Sequence, residues 1–400
     1  MNEIKEIYLD NSATTKISDA ALKKYNEVSL LEYGNPSSLH NLGFIAEREI
    51  NNARNQALTS LGANSDSHIV FTSSGSEANN LAIIGRALAK ERYKSFGKII
   101  TTLGEHASVS SPISRLKSMG FKVASIPTVN GKIDTDALIS EMTPDVILVS
   151  VMMVNNETGA LYDIAEIADI MHKSSPEAIL HVDATQSFMK VKFTKRSVKA
   201  DMITISSHKI EGPKGVGALI IDNKIIKSHG LSPLILGGGQ EYGLRSGTEN
   251  VPAIAAFGTA IAENLSRLDD NISKLTSLRS YLIDKLSISE DLREIKIINP
   301  ERHAPHILNI TLPGIKSETA LHYLSSLGIY VSSGSACSSN SKDTSSALLA
   351  YGKTEAEADS SIRISFSPRN TCEELDKLCD ALSSAIKNLA RIKRQTSWHK

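Results

Sequence analysis

The sequence predicts an α/β fold: a mostly parallel seven-stranded sheet flanked by helices, with a smaller α+β domain following it. Three observations carry this. Between residues 68 and 221, short apolar runs alternate with amphipathic segments, the pattern of strands joined by crossover helices. Beyond residue 266 the alternation gives way to a few short strand-like runs set among helical stretches. At 400 residues the chain is also longer than one small core organises, which favours two domains.

In order, the strand candidates of the large sheet are 68–72, 98–102, 122–126, 146–152, 179–183, 202–206 and 217–221, with helical patterns over 77–94, 108–119 and 163–173. In the last third, strand-like 306–312 precedes a helix over 317–327, a strand over 329–332, a polar Ser-rich stretch from 333 to 346 and a strand over 361–367. The final helix opens with Thr371-x-x-Glu374, a capping-box signature, ahead of an apolar stripe at Leu375, Leu378, Leu382 and Ile386. The expected division is 18–265 for the large domain and 1–17 with 266–400 for the small one.

Composition narrows the function classes. Lys+Arg and Asp+Glu are equal at 44 each, so no net field favours nucleic acid or an anionic membrane. The first residues lack the basic, apolar and small-residue regions of a signal peptide. The apolar run 146–154 is interrupted by Ser150 and is too short to span a bilayer. Three cysteines make no disulfide framework, and the expectation is a reducing, cytoplasmic setting.

Four stretches carry candidate chemistry. In FTSSGSEANN (71–80) a strand ends in Ser73, Ser74, Gly75 and Ser76 before a helix. Free N–H groups and hydroxyls at such a turn cradle a phosphate, although the same turn serves as a plain helix cap. No Gly-Lys-Ser/Thr follows, so it is not a nucleotide-triphosphate loop. In HVDATQ (181–186), Asp183 ends an apolar strand, where a carboxylate either pairs with a protonated ring nitrogen or caps a turn. In SSHKIEGPKGVG (206–217), Lys209 follows a strand directly with Ser and His before it, a place that favours a Schiff-base lysine, although most lysines are solvated surface residues. Its glycines do not form a dinucleotide fingerprint. In SSGSACSSNS (332–341), Cys337 sits in a flexible polar loop, either by accident or as a nucleophile on a loop that moves. Cys372 and Cys379, seven apart on the final helix, read as core residues, and His303-x-x-His306 is too isolated a pair to argue for metal.

With these stretches in view, the chain resembles the NifS/IscS-type (class I) cysteine desulfurases of the class V aminotransferase family, fold-type I pyridoxal-phosphate enzymes. The resemblance runs nearly full length through YLDNSATT (8–15), GNPSSLHNLG (34–43), GEHASV (104–109), MMVNNETG (152–159), GGGQEYGLRSGTEN (237–250) and SSIRISF (360–366). It implies pyridoxal 5'-phosphate held covalently by Lys209. Asp183 would pair with the ring nitrogen, Gln186 would bond the phenolic oxygen, and His106 would stack on the ring and join proton transfer. Gly75, Ser76, Ser206 and His208 would hold the phosphate, joined by Thr248 from the partner subunit of a homodimer. Asn156 and Arg363 would fix the substrate carboxylate, Arg363 through its bidentate fork. Cys337 would accept sulfur from L-cysteine, leaving alanine and a persulfide for an acceptor protein such as an iron–sulfur scaffold or a thiolation enzyme. His106 would assist the thiol, which is mostly protonated at neutral pH. GNPSSLHNLG is expected to be a dimer-side structural loop. Ser76, Glu211 and Tyr242 depart from the family's usual residues without removing a catalytic group. A selenocysteine lyase, another aminotransferase of the same fold and a catalytically silent scaffold paralogue are the rival readings.

Overall fold

The computed structural model describes residues 6–63, 66–89, 96–334 and 345–396, with side chains through residue 389. Cys337 therefore lies outside the described residues. The chain opens with β1 (Ile7–Tyr8), α1 (Asp19–Leu31) and α2 (Asn41–Ser60). An alternating stretch follows: β2 (Ser67–Thr72), α3 (Gly75–Ala87), β3 (Lys98–Thr102), α4 (Ala107–Ser118), β4 (Lys122–Ile126), α5 (Thr135–Glu141), β5 (Val146–Met152), α6 (Ile164–Ser174) and β6 (Ile179–Asp183). Then come α7 (Lys195–Val198), β7 (Met202–Ser206), β8 (Gly217–Asp222), α8 (Asn223–Lys227), α9 (Val251–Ser266) and α10 (Leu268–Ile288). The remainder comprises β9 (Lys296–Ile298), β10 (Ile307–Thr311), α11 (Ser317–Ser326), β11 (Ile329–Tyr330), β12 (Ser332–Ser333), α12 (Ser346–Ala350), α13 (Glu355–Asp359), β13 (Ser361–Ser365) and α14 (Cys372–Thr396).

Seven strands form one sheet in the order β2-β8-β7-β6-β5-β3-β4. These are the seven expected strands, within a residue at either end. β8 runs antiparallel to both neighbours, and the pairings from β7 across to β4 are parallel. Both faces are covered, as a parallel sheet requires. Ile69, Phe71, Ile100, Val149 and Val151 join one hydrophobic cluster, while their neighbours Val70, Ile99 and Leu148 join another. The two-residue period of a strand thus feeds two cores. All seven residues of β5 are buried, which explains its nearly unbroken run of apolar residues.

A four-stranded sheet, β12-β13-β10-β9, and a parallel pair, β1-β11, lie over a separate cluster. There Leu275, Leu278, Leu282 and Leu286 of α10 meet Leu375, Leu378 and Leu382 of α14, both stripes recurring at the three-to-four-residue spacing of one helix face. The cap of α14 forms as its sequence indicates: Glu374 N–H donates to Thr371 Oγ1 at 3.4 Å and Thr371 N–H to the Glu374 carboxylate at 3.3 Å. The N-terminus belongs to this region, since Ile7 and Leu9 enter its cluster.

Two expectations need correction. Of the helix expected over 77–94, α3 ends at Ala87, where the N–H of its cap residue Leu88 closes on the Ile84 carbonyl, and residues 90–94 lie outside the described residues. The strand expected over 329–332 is two short strands, because its halves have different partners: Ile329–Tyr330 pairs with β1 and Ser332–Ser333 with β13. GNPSSLHNLG is irregular only as far as His40, which caps α2. Among the described residues, no helix is long and apolar enough to cross a membrane.

Candidate active site

A cavity of about 300 Å³ opens at the carboxyl edge of the large sheet, where ligands of such folds collect. Each side chain arrives there for a local reason. The turn after β2 brings Ser74, Gly75 and Ser76 to the start of α3, with Ser74 capping it by accepting from Glu77 N–H at 3.1 Å. The turn is packed closely: a Cβ at Gly217, the first residue of β8, would stand 2.5 Å from the Ser74 carbonyl carbon, so only glycine allows the approach. The turn after β3 brings His106, which caps α4. Asp183 ends β6, Ser206 ends β7, and His208 and Lys209 follow in a short 3₁₀ turn. Met152 and Asn156 come from the end of β5 and the turn beyond it, and Arg363 reaches in from β13 of the small sheet.

The Lys209 amine donates to the carbonyl oxygens of Ser12 and Ala13 at 2.5 and 2.8 Å. The Ser12 carbonyl also accepts from Gln186 Nε2 at 2.9 Å, so the N-terminal segment ties two expected cofactor contacts together. The Asp183 carboxylate accepts from Thr185 N–H and from Asn79 Nδ2, each at 2.9 Å. Arg363 is buried, donating to the Asn156 carbonyl oxygen and to Asp10 Oδ1, both at 2.9 Å, while its Nε has no hydrogen-bond partner among the described residues. Ser332 also donates to Asp10 Oδ1.

Burial governs the titrations. It lowers His106, with Asp183 opposing and Lys209 and Arg363 assisting. It pushes His208 down to about 4, with Lys209 next in effect, so that imidazole is neutral at pH 7. Glu105, fully enclosed, is pushed up to about 8; its Oε1 accepts from Thr102 Oγ1 at 2.6 Å and Met152 N–H at 3.0 Å.

Of the residues expected from sequence, Lys209, His106, Gly75, Ser76, Asp183, Gln186, Ser206, His208, Asn156 and Arg363 line this one cavity. Thr248 does not: it is exposed, in the loop before α9. Cys337 cannot be placed, lying outside the described residues.

The chain matches the aminotransferase class-V family over residues 7–378. It belongs to that family. Among curated relatives of this class-V aminotransferase, a NifS/IcsS protein homologue of Lactobacillus delbrueckii subsp. bulgaricus is 40% identical, with 96% of this chain and 98% of the relative covered. A cysteine desulfurase of Archaeoglobus fulgidus is 37% identical, with 96% of this chain and 97% of the relative covered. A solved NifS-like protein superposes with a TM-score of 0.87 at 34% identity, covering 96% of this chain and 99% of that one.

Class-V aminotransferases are pyridoxal-phosphate enzymes, and the donor set here fits that cofactor. Ser206 Oγ is buried, has no partner among the described residues and sits on the cavity wall beside the Ser74–Ser76 turn. A Cβ on Gly75 would come within 3.3 Å of Ser206 Cβ and Thr185 Oγ1, leaving the helix start bare for a phosphate. An amine, a strand-end carboxylate and a neutral imidazole complete the set.

Sequence reading missed several participants of this class-V site. Asp10 and Ser12 lie in a motif that was recognised, yet nothing local marks their contacts with Arg363 and Lys209, 353 and 197 residues away. Asn79 and Glu105 likewise sit inside recognised motifs. Asn79 is two residues beyond Glu77 on the buried side of α3, and that burial pattern is the one signal that singles out a polar residue there.

Proposed function

We propose that this enzyme is a cysteine desulfurase, taking sulfur from L-cysteine to give L-alanine and a persulfide on Cys337. One observation carries the reading: an amine, a carboxylate, an imidazole and a buried guanidinium, from Lys209, Asp183, His106 and Arg363, converge on one cavity in a chain whose near full-length relatives include a cysteine desulfurase. When bound, pyridoxal phosphate supplies an electron sink for charge developing at the substrate α-carbon. Lys209 would hold it, and the Lys209 amine would take the α-proton. Asp183 would keep the ring nitrogen's proton in place, its own oxygens steadied by Thr185 N–H and Asn79. Gln186, Gly75, Ser76, Ser206 and His208 would hold the rest of the cofactor, the neutral His208 as a hydrogen-bond donor. Arg363 and Asn156 take the substrate carboxylate. The Cys337 thiolate attacks the substrate sulfur; the new S–S bond forms as the C–S bond breaks, and proton uptake at carbon yields alanine.

The small unit, 1–17 with 266–400, carries Arg363 and Cys337 and faces the large unit, 18–265; the separate clusters support this division. A homodimer in the cytoplasm completes the assignment, with Thr248 serving the partner's phosphate site. Support comes from the exposure of Thr248 and of Leu30, Leu31, Tyr33, Leu39 and Phe44, an apolar surface that invites a partner. An iron–sulfur scaffold or thiolation enzyme then takes the sulfur.

The test incubates purified protein with L-cysteine and measures alanine and sulfide, with and without a thiol reductant, for wild type and Cys337→Ala. Alanine with reductant-released sulfide from wild type alone supports the reading. A yellow wild type that forms neither product while transaminating other amino acids overturns it.

A further inference from the structure

A hydrogen-bonded chain joins Asp183 to His106 through Asn79 and Ser108, two motif residues to which the sequence assigns no role. Asn79 Nδ2 lies 2.9 Å from Asp183 Oδ2 and 2.9 Å from Ser108 Oγ. Ser108 Oγ lies 2.8 Å from His106 Nδ1, and the backbone N–H of Ser108 donates to that same ring nitrogen at 3.1 Å. Asn79 is 1% exposed and its bond to Asp183 is buried, while the bonds between Ser108 and His106 are partly buried. From this geometry we infer that Asn79 and Ser108 are positioning residues which hold His106 as its Nε2–H tautomer and lock the ring to Asp183.

The direction of every proton in the chain follows from donor and acceptor chemistry. A carboxylate only accepts, so the Asn79 amide must turn its nitrogen toward Asp183; this leaves Asn79 Oδ1 buried without a partner among the described residues. The same nitrogen then donates to Ser108 Oγ, whose own single proton is left to point at His106 Nδ1. The backbone N–H of Ser108 has no alternative role: it can only donate, and a proton on Nδ1 would face it directly. This same bond is the cap of α4, a place that requires a lone pair on Nδ1. Two donors converging on Nδ1 leave the ring proton on Nε2. In its neutral form, His106 therefore gives a hydrogen bond from Nε2 and has no lone pair there to take a proton. It can stabilise a thiolate or an anionic substrate group, whereas the sequence assigns it help with deprotonating a thiol. This role rests on the desulfurase reading, but the tautomer itself does not.

The experiment uses the holoenzyme labelled with ring ¹⁵N-histidine, in wild type, Ser108→Ala, Ser108→Thr and Asn79→Ala, with His106→Gln identifying the His106 signals. Long-range proton–nitrogen correlation is expected to show His106 protonated at Nε2 in wild type and in Ser108→Thr. In Ser108→Ala and Asn79→Ala the Nδ1 signal is expected to move, with alanine formation falling about three- to tenfold, the loss of one buried hydrogen bond. Retained visible absorbance of the bound cofactor in each variant establishes that the site is folded. A proton on Nδ1 in wild type, or His106 signals unmoved in both Ser108→Ala and Asn79→Ala, overturns the inference even if alanine is made from cysteine. A Nε2–H tautomer in a protein inert toward cysteine overturns the desulfurase reading and leaves the positioning role standing.

Discussion

The two walls of the cavity are built in opposite ways. The wall on the large sheet consists of residues that each end a strand or begin a turn: Gly75 after β2, His106 after β3, Asp183 on β6, Ser206 on β7 and Lys209 just beyond it. Each is placed by its own local segment and is supported by the strand beside it. The other wall is assembled from remote pieces. Arg363 on β13 reaches Asp10 across 353 residues, Asn11 Nδ2 reaches the Ser365 carbonyl across 354, and the Ser12 carbonyl holds Lys209. The first wall stands on the ladder of one sheet, while the second ties the small-sheet strand β13 to the N-terminal segment by charge pairing and side-chain hydrogen bonds. The difference teaches that mutations on the first wall should damage chemistry, while on the second they should damage assembly and substrate capture.

The sharpest break on the first wall is Lys209→Ala, which removes the amine proposed to hold the cofactor and to move the proton. Alanine formation from cysteine is expected to fall by about 10³-fold or more, read by single-turnover kinetics. On the second wall, Asp10→Asn leaves the buried Arg363 charge without its counterion. Unfolding stability should drop by about 3 kcal/mol in denaturant titration. Arg363→Lys tests capture rather than assembly: the charge stays, the planar fork goes. KM for cysteine is expected to rise about 30-fold with a smaller change in kcat, the size of one or two charged hydrogen bonds. An unchanged KM would remove Arg363 from the substrate's carboxylate.

A last effect, which shows only as a dependence on pH, belongs to Glu105, behind the first wall. Burial raises its folded pKa to about 8, above the unfolded value, so folding favours the protonated form. Its contribution is complete at pH below the unfolded carboxylate pKa and is lost as pH rises through the folded one. Stability should therefore fall by about 1.4 kcal/mol for each pH unit between roughly 5 and 7.5. Glu105→Gln, neutral at every pH, should flatten that slope in thermal or urea unfolding. A slope identical to wild type would mean the carboxyl is ionised in the folded protein.

What could be read from the sequence follows the same divide. The seven strands of the large sheet were legible because buried parallel strands are written as apolar runs, and a residue such as Asp183 is marked by where its run stops. The small-sheet contacts were not, because nothing near Asp10 indicates Arg363 and nothing near Ser12 indicates Lys209. The strand expected over 329–332 divided for that reason also: its two halves answer to partners at opposite ends of the chain. Asn79 and Ser108 escaped notice because a buried amide on a helix and a serine in a cap look ordinary until Asp183 and His106 are set beside them. The helices α1 and α2 went unmarked since their polar residues blur the apolar stripe. The helix expected over 77–94 ends at Ala87 although Leu88 and Ala89 are good helix formers, and its last expected residues, 90–94, lie outside the described residues.

Because β7 and β8 are paired antiparallel neighbours, the segment from Ser207 to Val216 is a loop clamped at both feet by one ladder, with Ser206 opposite Gly217. Lys209 thus rides on a stiff mount. Whatever distance its amine covers in a turnover must be travelled by its four-carbon stem and not by the backbone. Such excursions are rotamer hops, far quicker than the rearrangement of a loop. Enzyme tempo should accordingly be insensitive to solvent viscosity at the lysine's steps, and any viscosity dependence would point to motion elsewhere in the molecule.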